Sequence, residues 1–161
     1  MKVLLLALCL TFNLTSGNAW SQSSAHAHHD AAPPAQKAWG VAGNPAAVRR
    51  TVSISMSDAM RFDPARIAVK QGDTIRFVLV NTGALAHEMV LGTPKSLGEH
   101  AAAMAKSTHM EHEAADAAQV AAGKTGELLW TFNRAGEFEF ACMVAGHYQA
   151  GMRGKIIVTK S

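Results

Sequence analysis

The sequence has few cysteines and no long hydrophobic run, and both absences exclude classes of structure. Two cysteines, Cys9 and Cys142, cannot build the disulfide framework of a small secreted scaffold. The apolar stretch from residue 3 to about 14 is shorter than the ~20 residues that a transmembrane helix needs. The 15 Lys and Arg residues are scattered among 12 Asp and Glu residues, so a nucleic-acid-binding surface is not expected either.

Residues 1–19 have the order of a secretory signal peptide. Lys2 precedes the apolar stretch, and small and polar residues follow it. We therefore expect a cleaved signal, a periplasmic location and no membrane span after cleavage. Small-x-small pairs ending at residues 19, 25 and 27 leave the cleavage site open. We expect Cys9 to be removed with the signal, so that the remaining Cys142 is a buried thiol, a reactive thiol or a metal ligand.

The rest of the chain divides into a tether and one domain. Residues 20–50 are rich in Ser, Ala, His and Pro, a composition that buries too little apolar surface to order itself. In the domain, residues 51–161, apolar side chains recur with the period of two that marks β-strands. Short runs between turn residues predict an all-β protein, a β-sandwich. The runs are residues 52–56, 67–69, 75–80, 87–91, 128–132, 137–142 and 156–159.

One stretch of the domain departs from the strand pattern. Residues 96–122 are rich in Ala, Glu, Lys, Met and Gln, which are good helix formers, and Gly123 ends the stretch. We therefore predict a helical insertion of one or two helices at 96–122, on the outside of the sandwich.

Cysteine, histidine and methionine recur at regular spacing near the end of the chain. Cys142, His147 and Met152 form a C-x4-H-x4-M pattern, and His87 begins a strand about 55 residues earlier. Alternation places Cys142 on the core side of its strand, with the two Phe residues before it. Soft thiolate and thioether ligands favour copper, and two His, one Cys and a weak axial Met make up the blue-copper electron-transfer site. We predict that His87, Cys142, His147 and Met152 bind copper.

The segments that carry this pattern resemble a known family. Phe-Ala-Cys at 140–142, Gly-His at 146–147 and Gly-Met-Arg-Gly at 151–154 resemble the ligand loop of cupredoxins, the plastocyanin/azurin family. The His-Glu-Met-Val-Leu-Gly run at 87–92 is similar to periplasmic copper-tolerance cupredoxins of the CopI type. The likeness extends over about residues 51–160. One departure is Glu88, where many members have Asn.

The resemblance implies a fold, a metal and a partner. The fold would be a Greek-key β-sandwich with one type 1 copper, blue or green, at one end. His147 would lie near the surface inside an apolar patch where a redox partner protein docks. We expect a monomer that binds no nucleic acid.

The functions that fit are electron transfer and copper tolerance, which do not exclude each other. The alternatives are a copper-dependent oxidase-type enzyme, or a copper chaperone or store without an electron-carrier role. Oxidases commonly flank the blue-copper cysteine with histidines, whereas Ala141 and Met143 stand here. The sequence also offers no nucleophile–base pair, phosphate loop or catalytic carboxylate pair. We therefore expect no enzyme, although weak oxidation of Cu(I) stays open.

Further histidines and methionines outside the main pattern are candidates for secondary, weaker copper sites. An incidental polar tail and a solvated helix are the alternative interpretation. On one helix, His100 and Met104 would share a face, and His109 and His112 would form a second pair rotated away from the first. The candidates are His100, Met104, His109, Met110 and His112 in the insertion and His26, His28 and His29 in the tether.

Overall fold

The computed structural model describes residues 34–106 and 114–161. The predicted signal peptide and the first part of the predicted tether lie outside these residues. Among these residues, no helix is long enough and apolar enough to span a membrane. The strands are β1 (Val41–Ala42), β2 (Val48–Ser57), β3 (Arg61–Asp63), β4 (Arg66–Lys70), β5 (Thr74–Asn81), β6 (His87–Gly92), β7 (Ala117–Val120), β8 (Thr125–Thr131), β9 (Gly136–Ala141) and β10 (Arg153–Thr159), and helix α1 spans Pro94–Met104.

The strands form two five-stranded sheets that enclose the core, which confirms the predicted β-sandwich. The first sheet has the order β1-β8-β5-β2-β3 and the second the order β4-β10-β9-β6-β7. Two strand pairs, β2–β5 and β4–β10, are parallel, and the other ladders are antiparallel. The period of two is clearest in β5, where Ile75, Phe77 and Leu79 are fully buried.

The ring of Phe140 fills the core close to the end of β9. It packs edge-on against Phe62, with ring centroids 5.0 Å apart. Gly154 of β10 allows this packing, because a Cβ atom there would lie 2.2 Å from Cζ of Phe140. Gly154, the second glycine of the Gly-Met-Arg-Gly segment, is therefore needed for the packing of Phe140. This packing holds β9, the strand that precedes Cys142, in place.

The helical insertion is shorter than predicted. Helix α1 begins with a capping box between Thr93 and Ser96 and ends at Met104. Residues 117–120, which the composition predicted to be helical, instead form β7 and pair antiparallel with β6. Pairing satisfies the backbone groups along the edge of β6, and Val120 packs in the core. This tertiary pairing outweighs the helix propensity of the two alanines at the start of β7.

Secondary structure also begins before residue 51, the predicted start of the domain. Strand β1, a 3-10 turn at Pro45–Ala47 and the first residues of β2 lie within the range 20–50. An ion pair of 2.7 Å joins Lys37 Nζ to the carboxylate of the buried Asp116. Trp130 Nε1 donates a hydrogen bond of 2.9 Å to the carbonyl of Trp39. Composition could not predict that these residues are ordered, because the partners of Lys37 and Trp39 lie 79 and 91 residues away in the chain.

Candidate metal centre

Three of the predicted ligand side chains meet at one end of the second sheet. His87 is the first residue of β6, Cys142 directly follows β9, and His147 lies in the loop between β9 and β10. Their potential ligand atoms all lie within 4.8 Å of one another. The side chains are buried, and even His147 is only 7% exposed. Within residues 34–106 and 114–161, this is the one cluster of three or more His, Cys, Asp or Glu residues close enough to share a metal ion.

Cys142 is held as a buried thiol between its neighbours. Its Sγ accepts a 3.3 Å hydrogen bond from the backbone N–H of Glu88 and lies 3.3 Å from Nδ1 of His147. Burial disfavours the charged thiolate and raises the pKa of Cys142 to about 11, although the Glu88 N–H acts in the opposite direction. A metal that binds here near neutral pH must therefore displace the thiol proton.

The contact from Glu88 shows that the departure from Asn at this position keeps a hydrogen bond to Cys142. The group that reaches the sulfur is the backbone N–H, which every residue except proline supplies. The side chain of Glu88 belongs to the opposite face of β6, because successive residues of a strand alternate between faces.

The loop between Cys142 and Met152 is held by its own hydrogen bonds. The N–H of His147 donates to Val144 and that of Ala150 donates to Gly146, both at 3.0 Å. Gly146 and Gly151 have φ angles of +86° and +90°, in the left-handed region that glycine adopts without strain. The loop therefore winds tightly, so that predicted ligands with four residues between them can lie around one point.

The environment of His147 favours its neutral imidazole, which can donate a lone pair to a metal. Burial lowers its pKa, and the nearby His87 lowers it further. The two imidazole rings lie 5.0 Å apart between centroids and are tilted by 49°. Neutral imidazole is the form that binds metals.

His87 supplies the observation that tests whether a metal fits. Its Nε2 lies 3.1 Å from Oδ1 of Asp58, whereas its Nδ1 is buried without a hydrogen-bond partner. A buried polar atom without a partner requires an explanation, and a metal ion bound to its lone pair provides one. Together with a thiolate donor and a second imidazole, it makes a donor set that suits copper. The residues therefore fit a copper ion.

Asp58 is a neighbour of the centre that the sequence patterns did not indicate. It follows β2 and lies 29 residues before His87 in the chain. Its carboxylate also accepts hydrogen bonds from the N–H groups of Ala84 at 2.7 Å and Leu85 at 3.3 Å. These contacts lower the pKa of Asp58, the Ala84 N–H most strongly. An acidic residue just after a strand is too common a signal to have revealed this contact.

Met152, the predicted axial ligand, lies fully buried in the same core cluster as Cys142. Its carbonyl accepts a hydrogen bond from Cys142 N–H, and its own N–H donates to the carbonyl of His147, both at 3.0 Å. The backbone of Met152 is thus hydrogen-bonded to the backbones of both Cys142 and His147, the other residues of the C-x4-H-x4-M pattern. Its role as a ligand stays a prediction.

Of the candidates for secondary sites, the structure describes two. His100 and Met104 lie one turn apart on α1, and both are half-buried. Met104 packs against the cluster of Leu97, Ala101 and Met143 on the outer face of the second sheet. The other candidates, His109, Met110, His112, His26, His28 and His29, lie outside the described residues.

The family follows from comparison with known proteins. The family model described as copper binding proteins, plastocyanin/azurin family, matches residues 48–159. The chain belongs to this family. The predicted resemblance is thereby confirmed, and the matched range contains the whole His–Cys–His cluster.

Named relatives of this cupredoxin are copper-resistance proteins. The copper-resistant cuproprotein CopI of Rubrivivax gelatinosus is 47% identical over 149 residues, which cover 92% of this chain and 88% of that protein. The copper-resistant cuproprotein CopI of Pseudomonas aeruginosa is 35% identical over 157 residues, covering 80% of this chain and 86% of that protein.

Solved structures with the same fold include auracyanins. The dithionite-reduced auracyanin of Roseiflexus castenholzii has a TM-score of 0.60 and 20% identity, covering 70% of this chain and 98% of its own. Auracyanin A of Chloroflexus aurantiacus, described as a "blue" copper protein, has a TM-score of 0.58 and 22% identity, covering 68% and 98%. These matches confirm the cupredoxin fold.

Proposed function

We propose that the chain is an exported type 1 copper protein that works in electron transfer and copper tolerance. The observation that carries this proposal is the buried cluster of His87, Cys142 and His147, with the unpartnered Nδ1 of His87. Met152 would complete the proposed ligand set as a weak thioether donor. Bound copper would supply a one-electron couple between Cu(II) and Cu(I).

The protein's own contribution is a rigid, dry donor set. Three donors come from one loop that is closed by its own hydrogen bonds, and the fourth comes from a neighbouring strand of the same sheet. The ladders of the sandwich oppose movement of the ligands, so a change of charge at the centre needs little rearrangement. The burial of His87 and Cys142 excludes water from the cluster.

A role in copper tolerance is supported by the relatives that are named copper-resistant cuproproteins. A signal peptide at residues 1–19 would place the protein in the periplasm, where surplus copper is met before it reaches the cytoplasm. A copper store or chaperone without an electron-carrier role would use the same ligands. Electron exchange with a partner separates that alternative from the proposal.

A strain that lacks the gene is expected to grow poorly at copper concentrations that its parent tolerates. A plasmid copy of the wild-type gene should restore growth, and the Cys142→Ser variant should fail because serine cannot replace the thiolate ligand. The measurement is growth against copper concentration, with immunoblots showing equal amounts of both proteins. Full tolerance with Cys142→Ser would show that the proposed centre is not needed for this function.

The insertion is proposed to hold additional, weaker copper. Titration of the mature protein with Cu(I) should then show one tight site and weaker binding beyond it. Replacing His100, Met104, His109, Met110 and His112 by alanine should remove the weaker binding that belongs to the insertion and leave the tight site, because imidazole and thioether donors favour copper.

The matched control for the insertion is the Lys95→Ala, Glu99→Ala double variant. It changes two exposed residues of the same helix that form a 3.9 Å ion pair and carry no soft donor. This variant should bind as much copper as the wild type. A wild-type stoichiometry of one would instead show that the insertion binds no additional copper.

A further inference from the structure

The contact between Asp58 and His87 joins an anion to the most deeply buried imidazole of the cluster. Asp58 Oδ1 lies 3.1 Å from Nε2 of His87, whose side chain is fully buried. An ionised carboxylate can only accept hydrogen bonds, so the proton must be on Nε2. The neutral ring then has its lone pair on Nδ1, which is the atom left without a partner.

The carboxylate is held in this position from several sides. The N–H groups of Ala84 and Leu85 donate to its two oxygens. Gly83 packs so closely that a Cβ atom there would lie 2.0 Å from Oδ1 of Asp58. Asn81 fixes the same turn, since its side chain accepts from Gly83 N–H at 2.9 Å and donates to the carbonyl of Leu85 at 2.8 Å.

We propose that Asp58 is a positioning residue for the copper ligand His87. It fixes the ring in the Nε2–H tautomer, orients Nδ1 for the metal, and places a negative charge behind the ring that favours Cu(II) over Cu(I). This inference rests on the proposed function, because it assigns Asp58 a role at the same copper centre.

The physical basis has two separable parts. Carboxylates that accept the second ring N–H of a metal-binding histidine orient the ring and make it a stronger donor. The negative charge stabilises the more positive oxidation state, although water screens it because the Asp58 side chain is 38% exposed. Removing the charge should therefore raise the reduction potential, whereas removing the whole side chain should also free the ring tautomer.

The first test uses the metal-free protein and needs no copper. Long-range ¹H–¹⁵N correlation spectra report which ring nitrogen of His87 carries the proton. The wild type should show the Nε2–H tautomer alone, and Asp58→Ala should show a mixture of both tautomers. A wild-type ring protonated on Nδ1 would overturn the proposal, as would an unchanged Nε2–H tautomer in Asp58→Ala.

The second test measures copper affinity and reduction potential in Asp58→Asn, which removes the charge and keeps an oxygen acceptor. Loss of such an outer partner typically weakens metal binding by about 10- to 100-fold. Because the lost negative charge stabilises Cu(II) more than Cu(I), we expect the ratio of Cu(II) to Cu(I) affinity to fall about tenfold. For a one-electron couple, that fall corresponds to a rise of about 59 mV in the reduction potential.

Glu127→Gln is the matched control, because it removes an exposed carboxylate on β8 of the opposite sheet. Its potential should equal that of the wild type. A potential that is equally unchanged in Asp58→Asn would overturn the proposed effect of the charge. If Asp58 variants do not fold, the wild-type tautomer alone decides the positioning role. If the wild type binds no copper at all, the proposed function fails, while the metal-free spectra still test the contact.

Discussion

The Cys142→Ser variant, supplied with Cu(II), is expected to lose the intense visible absorption of the wild-type protein completely. A copper–thiolate bond produces this absorption by charge transfer, and a serine hydroxyl is neither soft nor readily deprotonated. The substitution changes a single atom at a fully buried position. The sandwich should therefore remain folded, which far-UV circular dichroism checks beside the absorption spectrum.

The control for this variant is Ala141→Ser. Ala141 is also fully buried, but it precedes Cys142 and packs in the cluster on the outer face of the second sheet. It tests whether a new buried hydroxyl in this region disturbs the centre without the loss of a ligand. Ala141→Ser should keep the colour. A coloured Cys142→Ser protein would show that the copper is bound elsewhere.

Slower electron exchange is the second large effect that we expect, in Ala145→Glu or Ala150→Glu. Both alanines are exposed on the loop that carries His147, which is itself 7% exposed. Leu85, a large apolar residue that is 48% exposed, precedes His87 by two positions and would belong to the proposed docking patch. The proposed apolar patch would suit the small interfaces of brief redox encounters.

The physical reason for the slowing is the cost of burying a new charge in the docking interface. A penalty of about 1.4 kcal/mol on the encounter complex would slow exchange about tenfold. Neither alanine is a proposed ligand, so the visible spectrum should stay unchanged. The measurement is stopped-flow reduction by a physiological partner, with the absorption spectrum recorded on the same samples.

Ala135→Glu is the matched control, because Ala135 is exposed in the turn between β8 and β9, at the opposite end of the sandwich from the centre. It introduces the same charge and should leave the exchange rate as it is in the wild type. Equal rates in all variants would mean that electrons enter elsewhere or that the protein chiefly stores copper. A changed spectrum in Ala145→Glu would instead show that the alanine packs the ligand loop.

Much of the fold could be predicted because its main strands have a local signature. Strands β2, β5 and β9 bury alternate residues, and a half-buried strand requires that pattern within a few positions of the chain. Strand β7 could not be predicted in this way. It has only four residues, two of which are alanines, and it exists because the edge of β6 offers unpaired backbone groups.

The candidate site divides in the same way. The spacing of Cys142, His147 and Met152 is readable because one short loop carries all three. His87 could be included because it begins a strand of the predicted pattern. Asp58 could not, because it reaches His87 only through the packing of the turn after β2 against the loop before β6.

The amino-acid sequence alone predicts the class of fold and the loop that carries the Cys, His and Met of the C-x4-H-x4-M pattern, since these depend on neighbours in the chain. Tertiary structure alone decided which end of the sandwich brings His87 to Cys142, and which nitrogen of His87 is left for a metal. It also decided that Lys37 and Trp39 belong to the domain. The physical reason is that hydrogen bonds and ion pairs between distant residues depend on where strands pack, and no local pattern of residues records that.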